Sequence, residues 1–427
     1  MTTRDTTTLL VAAGLTLLAS SPTLAQPPAQ ASTAGSAPGP QAQAAAAGAV
    51  RSPEVHPDRR ITFRLRAPDA KAVSVSFDEG TVQTHAMARD AAGVWSVTIG
   101  PVAPEIYIYN FVVDGLRVLD LANNSLKSGV ALASNIVEVP GTPPRFDEAQ
   151  DVPRGSISIH TYRSTVQSAP RSMYVYVPDE YYTSPAKRYP VLYLYHGGGG
   201  YEADWVRDGR AAVIMDNLLA AGRAAPMIIV MPNNTLAAAG GRGTTAAAGG
   251  RGGPAGRGAA GAGRGAAQAT PGPPASAATL ARELLTDIIP FVEARYRVVS
   301  DRESRAIAGL SAGGGTAFPT GLNNLDHFAY VAQFSSGMFG GNAANPTYTG
   351  PATIVPGLFT DVAAKRSRLK LLYMSCGTED PRLPFQKRVV EELRANGYDP
   401  VFQEFAGAHV WKVWRHSLHD LAPRLFR

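Results

Sequence analysis

The chain has 427 residues, is 45% hydrophobic, and carries a formal charge of +6 with one cysteine. This length accommodates two domains with tails and excludes a small module, and the composition excludes a chain too polar to bury a core. The charge does not make a nucleic-acid binder: Arg242, Arg251, Arg257 and Arg264 share one acid-free tract and the remainder is near neutral, although such a tract attracts polyanions weakly by charge alone.

In chain order, residues 1–25 read as a secretory signal peptide. Arg4 precedes an apolar run from Leu9 to Leu18, and Thr23-Leu24-Ala25 offers small residues for cleavage. The run is short for spanning a bilayer and no second membrane segment follows, so a secreted or periplasmic protein without stable membrane insertion is expected. Residues 26–50 are too poor in large apolar groups to repay ordering and read as a disordered linker. From 51 to 141 the texture changes to short β-like runs, Ile61–Ala67, Ala72–Phe77, Gly93–Ile99, Ile106–Val113 and Ile136–Val139, which predict a small all-β sandwich. Phe63-Arg64-Leu65-Arg66-Ala67-Pro68, Gly93-Val94-Trp95 and Tyr107 to Gly115 resemble the immunoglobulin-like domain at the front of glycogen-branching and debranching enzymes. That resemblance implies a carbohydrate-binding-like domain. Trp95, Tyr107 and Tyr109 have the shape of sugar platforms, but aromatics alternating along a strand read first as core or cross-strand pairs.

A proline-containing linker, 142–153, leads into a domain at 154–427 where strands and helices alternate. Strands are expected at Met173–Val177, Val191–Tyr195, Met227–Met231, Arg305–Leu310, Ala329–Phe334, Leu369–Cys376 and Val401–Phe405. Helices are expected at Ala211–Ala221, through Leu280, Leu284, Leu285, Ile288 and Val292 with a kink or break at Pro290, at Leu383–Asn396, and from Val410 to Leu425. This pattern predicts an α/β fold with a parallel sheet wrapped by helices. A Gly/Ala/Pro/Arg insertion at 237–278 interrupts it and is expected to lack order.

The chemistry centres on Gly309-Leu310-Ser311-Ala312-Gly313, a Gly-x-Ser-x-Gly turn between an apolar strand and a helix. Small neighbours let strand and helix approach closely and hold Ser311 exposed, with the Ala312 N–H available to an oxyanion. A serine needs a base and an orienting acid. His409 sits on a loop beyond a strand, whereas His416 and His419 lie within the last helix and lack the partners of a metal site. Asp380 follows the strand ending at Cys376, with Glu379 as the alternative, while Asp326, Asp361 and Asp399 read as loop or capping residues. The order Ser311, Asp380, His409 is that of α/β-hydrolases. His196-Gly197-Gly198-Gly199-Gly200 is the expected second oxyanion loop, with Gly198 as donor and Gly199 next, and His196 supporting the loop. Cys376 reads as strand packing.

His196 to Gly200 with Trp205, Pro226 to Asn233, Gly309 to Gly314, and Gly407-Ala408-His409-Val410-Trp411 together resemble the esterase D-type family, which includes feruloyl, acetylxylan and enterochelin esterases and mycolyltransferases. Two departures are Ala312, where methionine is common, and the insertion. The resemblance implies a secreted serine esterase that needs no cofactor and no metal, acting through an acyl-enzyme on feruloyl or acetyl groups of plant cell-wall xylan. Siderophore hydrolysis, acyl transfer and non-catalytic carbohydrate binding are the competing readings. Tyr201, Trp205, Phe339 and Trp411, with Gly199, are candidates to line a pocket for a phenolic acyl group, and the rings serve equally well as loop packing.

Overall fold

The structure, a computed structural model, describes residues 50–78, 80, 82–127, 134–237, 275–342 and 345–427. The expected leader, nearly all of the linker 26–50 and most of the insertion 237–278 lie outside the described residues. Among the described residues no helix is long and apolar enough to cross a membrane.

The N-terminal part contains strands β1 (Glu54–Val55), β2 (Ile61–Arg66), β3 (Val73–Asp78), β4 (Val82–Ala86), β5 (Ala88–Arg89), β6 (Val94–Ile99), β7 (Glu105–Val113), β8 (Leu116–Val118) and β9 (Asn135–Val139). They form two antiparallel sheets, one in the order β1-β2-β6-β5 and one in the order β4-β3-β7-β8, with β9 also on β7. Alternation along each strand sends Phe63 from one sheet and Phe77, Tyr109 and Phe111 from the other into one core. Trp95, Tyr107 and Tyr109 are buried there, and their polar ends are bonded internally. Trp95 Nε1 donates to the Ala67 carbonyl at 2.9 Å, Tyr107 Oη to that of Ala103 at 2.7 Å, and Tyr109 Oη to Asp120 at 2.8 Å. These rings are packing, not sugar platforms.

The second part carries β10 (Ser156–Ser164), β11 (Ala169–Val177), β12 (Val191–Tyr195), β13 (Ile228–Pro232), β14 (Arg305–Gly309), β15 (Tyr330–Phe334), β16 (Leu371–Gly377) and β17 (Val401–Phe405). They make one sheet in the order β10-β11-β13-β12-β14-β15-β16-β17. β10 and β11 join antiparallel, and from β13 onward the pairs are parallel. Burial on both faces explains the near-continuous apolar runs. Tyr193, Ile307, Val331 and Met374 meet the helices Ala312–Asn323 and Leu383–Ala395, while Leu194, Ala308, Phe334 and Tyr373 meet Ala211–Ala220 and Trp411–Leu421.

Three local features differ from expectation. β10 has no counterpart among the expected strands, because its apolar residues point the unusual way: Ile157 and Ile159 are exposed, and its place comes from nine-residue pairing with β11. The segment 275–295 is a helix, a π-helical turn at Leu284–Ile288 and a second helix, since Pro290 has no N–H to give Thr286. The last helix stops at Leu421 and gives way to a 3-10 turn, Ala422–Arg424, where Pro423 removes a donor.

One buried ion pair secures the front of this sheet. Arg171 of β11 meets Glu283 at 3.0 Å with both side chains buried, and Glu283 also accepts from Tyr162 Oη at 3.0 Å and Gln167 Nε2 at 2.6 Å. Arg171→Met leaves that carboxylate buried without its cation and should cost about 3–5 kcal/mol, read as a lower urea midpoint.

Candidate active site

β14 ends at Gly309, and the helix Ala312–Asn323 starts three residues later, so the chain turns sharply through Leu310 and Ser311. Ser311 adopts φ 50° and ψ −115°, a conformation costing about 1–3 kcal/mol for a residue with a Cβ. Its surroundings hold it there. Ser311 N donates to the Phe334 carbonyl at 2.8 Å and Leu310 N to that of Tyr195 at 3.2 Å. A Cβ at Gly309 would collide with the Gly313 carbonyl, and one at Gly313 with the carbonyls of Tyr195 and His196. The glycines are there because backbone occupies the space a side chain would need.

Ser311 Oγ lies 2.9 Å from His409 Nε2, and His409 Nδ1 lies 2.7 Å from Asp380 Oδ2. An ionised carboxylate only accepts, so Nδ1 carries the proton and Nε2 is left to accept from the serine hydroxyl. Asp380 is buried, which alone would raise its carboxyl. The His409 ring, together with the backbone N–H and guanidinium of Arg382 on Oδ1 at 3.0 and 3.1 Å, brings it below the ordinary value. Gly377, at the end of β16, lets the loop of Gly407 and Ala408 close over it. The Trp414 ring meets the imidazole edge-on at 4.9 Å. Glu379 is exposed, and His416 and His419 pack on the Phe146 ring at 4.5 and 4.4 Å, away from this line.

The loop after β12 follows the serine closely. A Cβ added at Gly197 would sit 3.4 Å from Ser311 Cβ, and one at Gly198 would sit 3.6 Å from Ala312 Cβ. Gly198, Gly199 and Ala312 are exposed, so the mouth opens here. His196 anchors the loop from below. Its Nδ1 donates to the Gly197 carbonyl at 2.8 Å and its Nε2 accepts from Asn234 N at 2.8 Å. Asn234 also bonds the His196 carbonyl at 3.1 Å and accepts from Thr316 Oγ1 at 2.8 Å, tying loop, β13 and helix together. Burial pulls His196 down to about 4, so it is neutral and has both ring nitrogens engaged.

The expected pocket rings separate into two groups. Tyr201 and Trp411 are half-buried, and Tyr201 Oη accepts from Arg207 at 3.3 Å. Trp205 and Phe339 are fully buried and serve as packing. Trp205 donates to the Tyr195 carbonyl at 3.0 Å and abuts Trp411 at 5.3 Å, and Phe339 packs on Phe318 at 5.3 Å. Cys376 is buried, and burial pushes its thiol up to about 12. Arg382, Asn234 and Trp414 join the site without having stood out in the sequence. Arg382 lies two residues from Asp380 and Asn234 soon after a strand end, while Trp414 has the three-residue spacing of ordinary helix packing.

A family model described as "Putative esterase" matches residues 164–425. The chain is 28% identical over 385 residues to an endo-1,4-beta-xylanase/feruloyl esterase of Xylanibacter ruminicola, covering 88% of this chain and 46% of that protein. It therefore spans less than half the length of this curated relative. Among solved structures, a CE1 ferulic acid esterase from Anaeromyces mucronatus matches with TM-score 0.52 and 24% identity over 66% of this chain and 94% of that one. The enterobactin esterase of Shigella flexneri matches with TM-score 0.57 and 16% identity over 85% and 92%. At these identities the structural likeness is one of fold.

Two outcomes are expected. Gly313→Ala should disturb the turn and lower kcat far more than it changes KM, measured by steady-state kinetics on a soluble ester. Neutral His196 contributes stability that is full above the unfolded-state value near 6.5 and is lost as pH falls toward 4, about 1.4 kcal/mol per unit, because the unfolded chain takes the proton first. Urea midpoints at pH 7 and 4.5 measure this slope, and His196→Gln, which keeps an acceptor without a pKa in the window, should remove its share and leave that of His419, which burial also pulls down to about 4.

Proposed function

Because the chain belongs to the esterase family, we propose that it is an exported serine carboxylic-ester hydrolase that releases feruloyl or acetyl groups from plant cell-wall xylan. The observation that carries this reading is the hydrogen-bonded line Ser311, His409, Asp380 beneath the exposed backbone of Gly198 and Ala312. His409 Nε2 takes the hydroxyl proton as Ser311 Oγ attacks the ester carbonyl. The N–H groups of Gly198 and Ala312 receive the developing oxyanion. His409 then returns the proton to the departing alcohol, leaving an acyl-enzyme, and water activated by the same ring frees the acid. Asp380 keeps the ring in the right tautomer and balances its charge.

The substrate class is supported by the relative whose name joins xylanase and feruloyl esterase, and by the partial exposure of Tyr201, two residues after Gly199, and of Trp411, two residues after His409, which leaves both rings able to meet a phenolic group. Export is supported by the leader-like residues 1–25.

The test is hydrolysis of methyl ferulate and of an acetyl ester by the mature protein beside Ser311→Ala. Turnover of the ferulate should fall by at least about 10⁴-fold in the variant. Unchanged hydrolysis by Ser311→Ala would sink the mechanism, and acetyl-ester turnover alone would remove the phenolic acyl group from the proposal.

A further inference from the structure

The helix Trp411–Leu421 begins two residues after His409, and its Trp414 supports the imidazole. The next residue, Arg415, is only 3% exposed and reaches the seam with the N-terminal sheets. Its guanidinium pairs with Glu105, the first residue of β7, and with Asp147 of the connector at 2.6 Å, and its Nη1 donates to the Asp208 carbonyl at 3.0 Å. Asp147 is itself paired with Arg145 at 2.9 Å. Arg145 also meets Glu148 at 2.9 Å and Glu138 of β9 at 3.3 Å, and Glu138 holds Arg210 at 2.7 Å, just before the helix Ala211–Ala220. Asn217 on that helix donates to the carbonyls of Phe146 at 2.9 Å and Glu148 at 2.8 Å.

We infer that the N-terminal sheets and the connector form part of the mounting of the catalytic histidine, with Arg415 and Glu105 as positioning residues. The inference rests on the serine-esterase reading. A buried guanidinium is tolerated only where its charge is matched, and both carboxylates that match it come from outside the catalytic sheet. The register of the helix is therefore tied to β7 and the connector. A displacement at Arg415 passes directly to Trp414, against which His409 rests, and through Trp411 to Trp205 beneath the glycine loop. Catalytic geometry tolerates little such movement. A detachable sugar-binding module would be joined by an exposed linker crossed by few contacts, whereas Asp147 and Glu148 are buried and paired.

The experiment compares full-length wild type with Glu105→Gln, which leaves the catalytic domain's own residues intact and leaves Arg415 its second carboxylate. 4-Nitrophenyl acetate turnover should lose about tenfold in kcat with KM within about twofold. Amide hydrogen exchange should quicken over 406–414 and stay unchanged over β14. The double variant Glu105→Gln/Arg415→Gln should lose less than the product of the two single losses. Unchanged kcat and exchange in Glu105→Gln would overturn the inference, as would faster exchange spread evenly over all strands, which marks simple destabilisation. If the wild type hydrolyses no ester, the esterase reading fails, and the exchange over 406–414 still decides whether the seam positions the histidine loop.

Discussion

The strained turn at Ser311 is the constraint on which the rest of this molecule depends. A non-glycine residue at φ 50° persists only where its surroundings over-determine it. Here the strand end, the helix start and the loop after β12 approach so closely that Gly309 and Gly313 leave no room for a methyl group. The same closeness that forces the strain brings Gly197 and Gly198 beside the serine. The strained serine and the glycine backbone beside it are thus consequences of one packing arrangement rather than separately placed parts.

Two histidines show how environment assigns a role. Both His196 and His409 donate from Nδ1, one to a backbone carbonyl and one to a carboxylate. His196 is sealed among backbone groups and gives its Nε2 to Asn234, so it acts as a neutral strut. His409 is partly exposed, gives its Nε2 to a hydroxyl, and has a buried anion behind it to balance a proton. Chemistry follows from the partner of Nε2 and the charge of the partner of Nδ1.

Much of this is legible in the residues themselves, for identifiable reasons. Ser311, Asp380 and His409 each follow a strand at the edge where loops gather; β12, β14 and β16 are short, largely apolar runs bounded by turn residues, while β17, with Gln403 and Glu404 inside it, is marked by its place before the last helix. β10 is hidden because its isoleucines face outward and its position is set by pairing with β11, a long-range fact with no local periodicity. Trp205 and Phe339 look like pocket walls because aromatic residues near catalytic motifs read alike whether they face ligand or core. Burial in the folded sheet decides between those roles. Arg415 resembles any helix cation, since the two carboxylates that match its charge lie more than 260 residues away in sequence.

The single thiol has a practical corollary. Cys376 is enclosed in β16 with its proton held up to about 12, so at pH 8 the thiolate, the form that attacks disulfides and electrophiles, amounts to roughly one part in 10⁴. The folded chain presents almost no reactive sulfur, and copies of it have no ready means of cross-linking in air. A cysteine introduced on the surface, as by Leu121→Cys at a position 89% exposed, would be the one site a maleimide dye finds on the native protein. The fold thus arrives with a silent background for spectroscopic labelling.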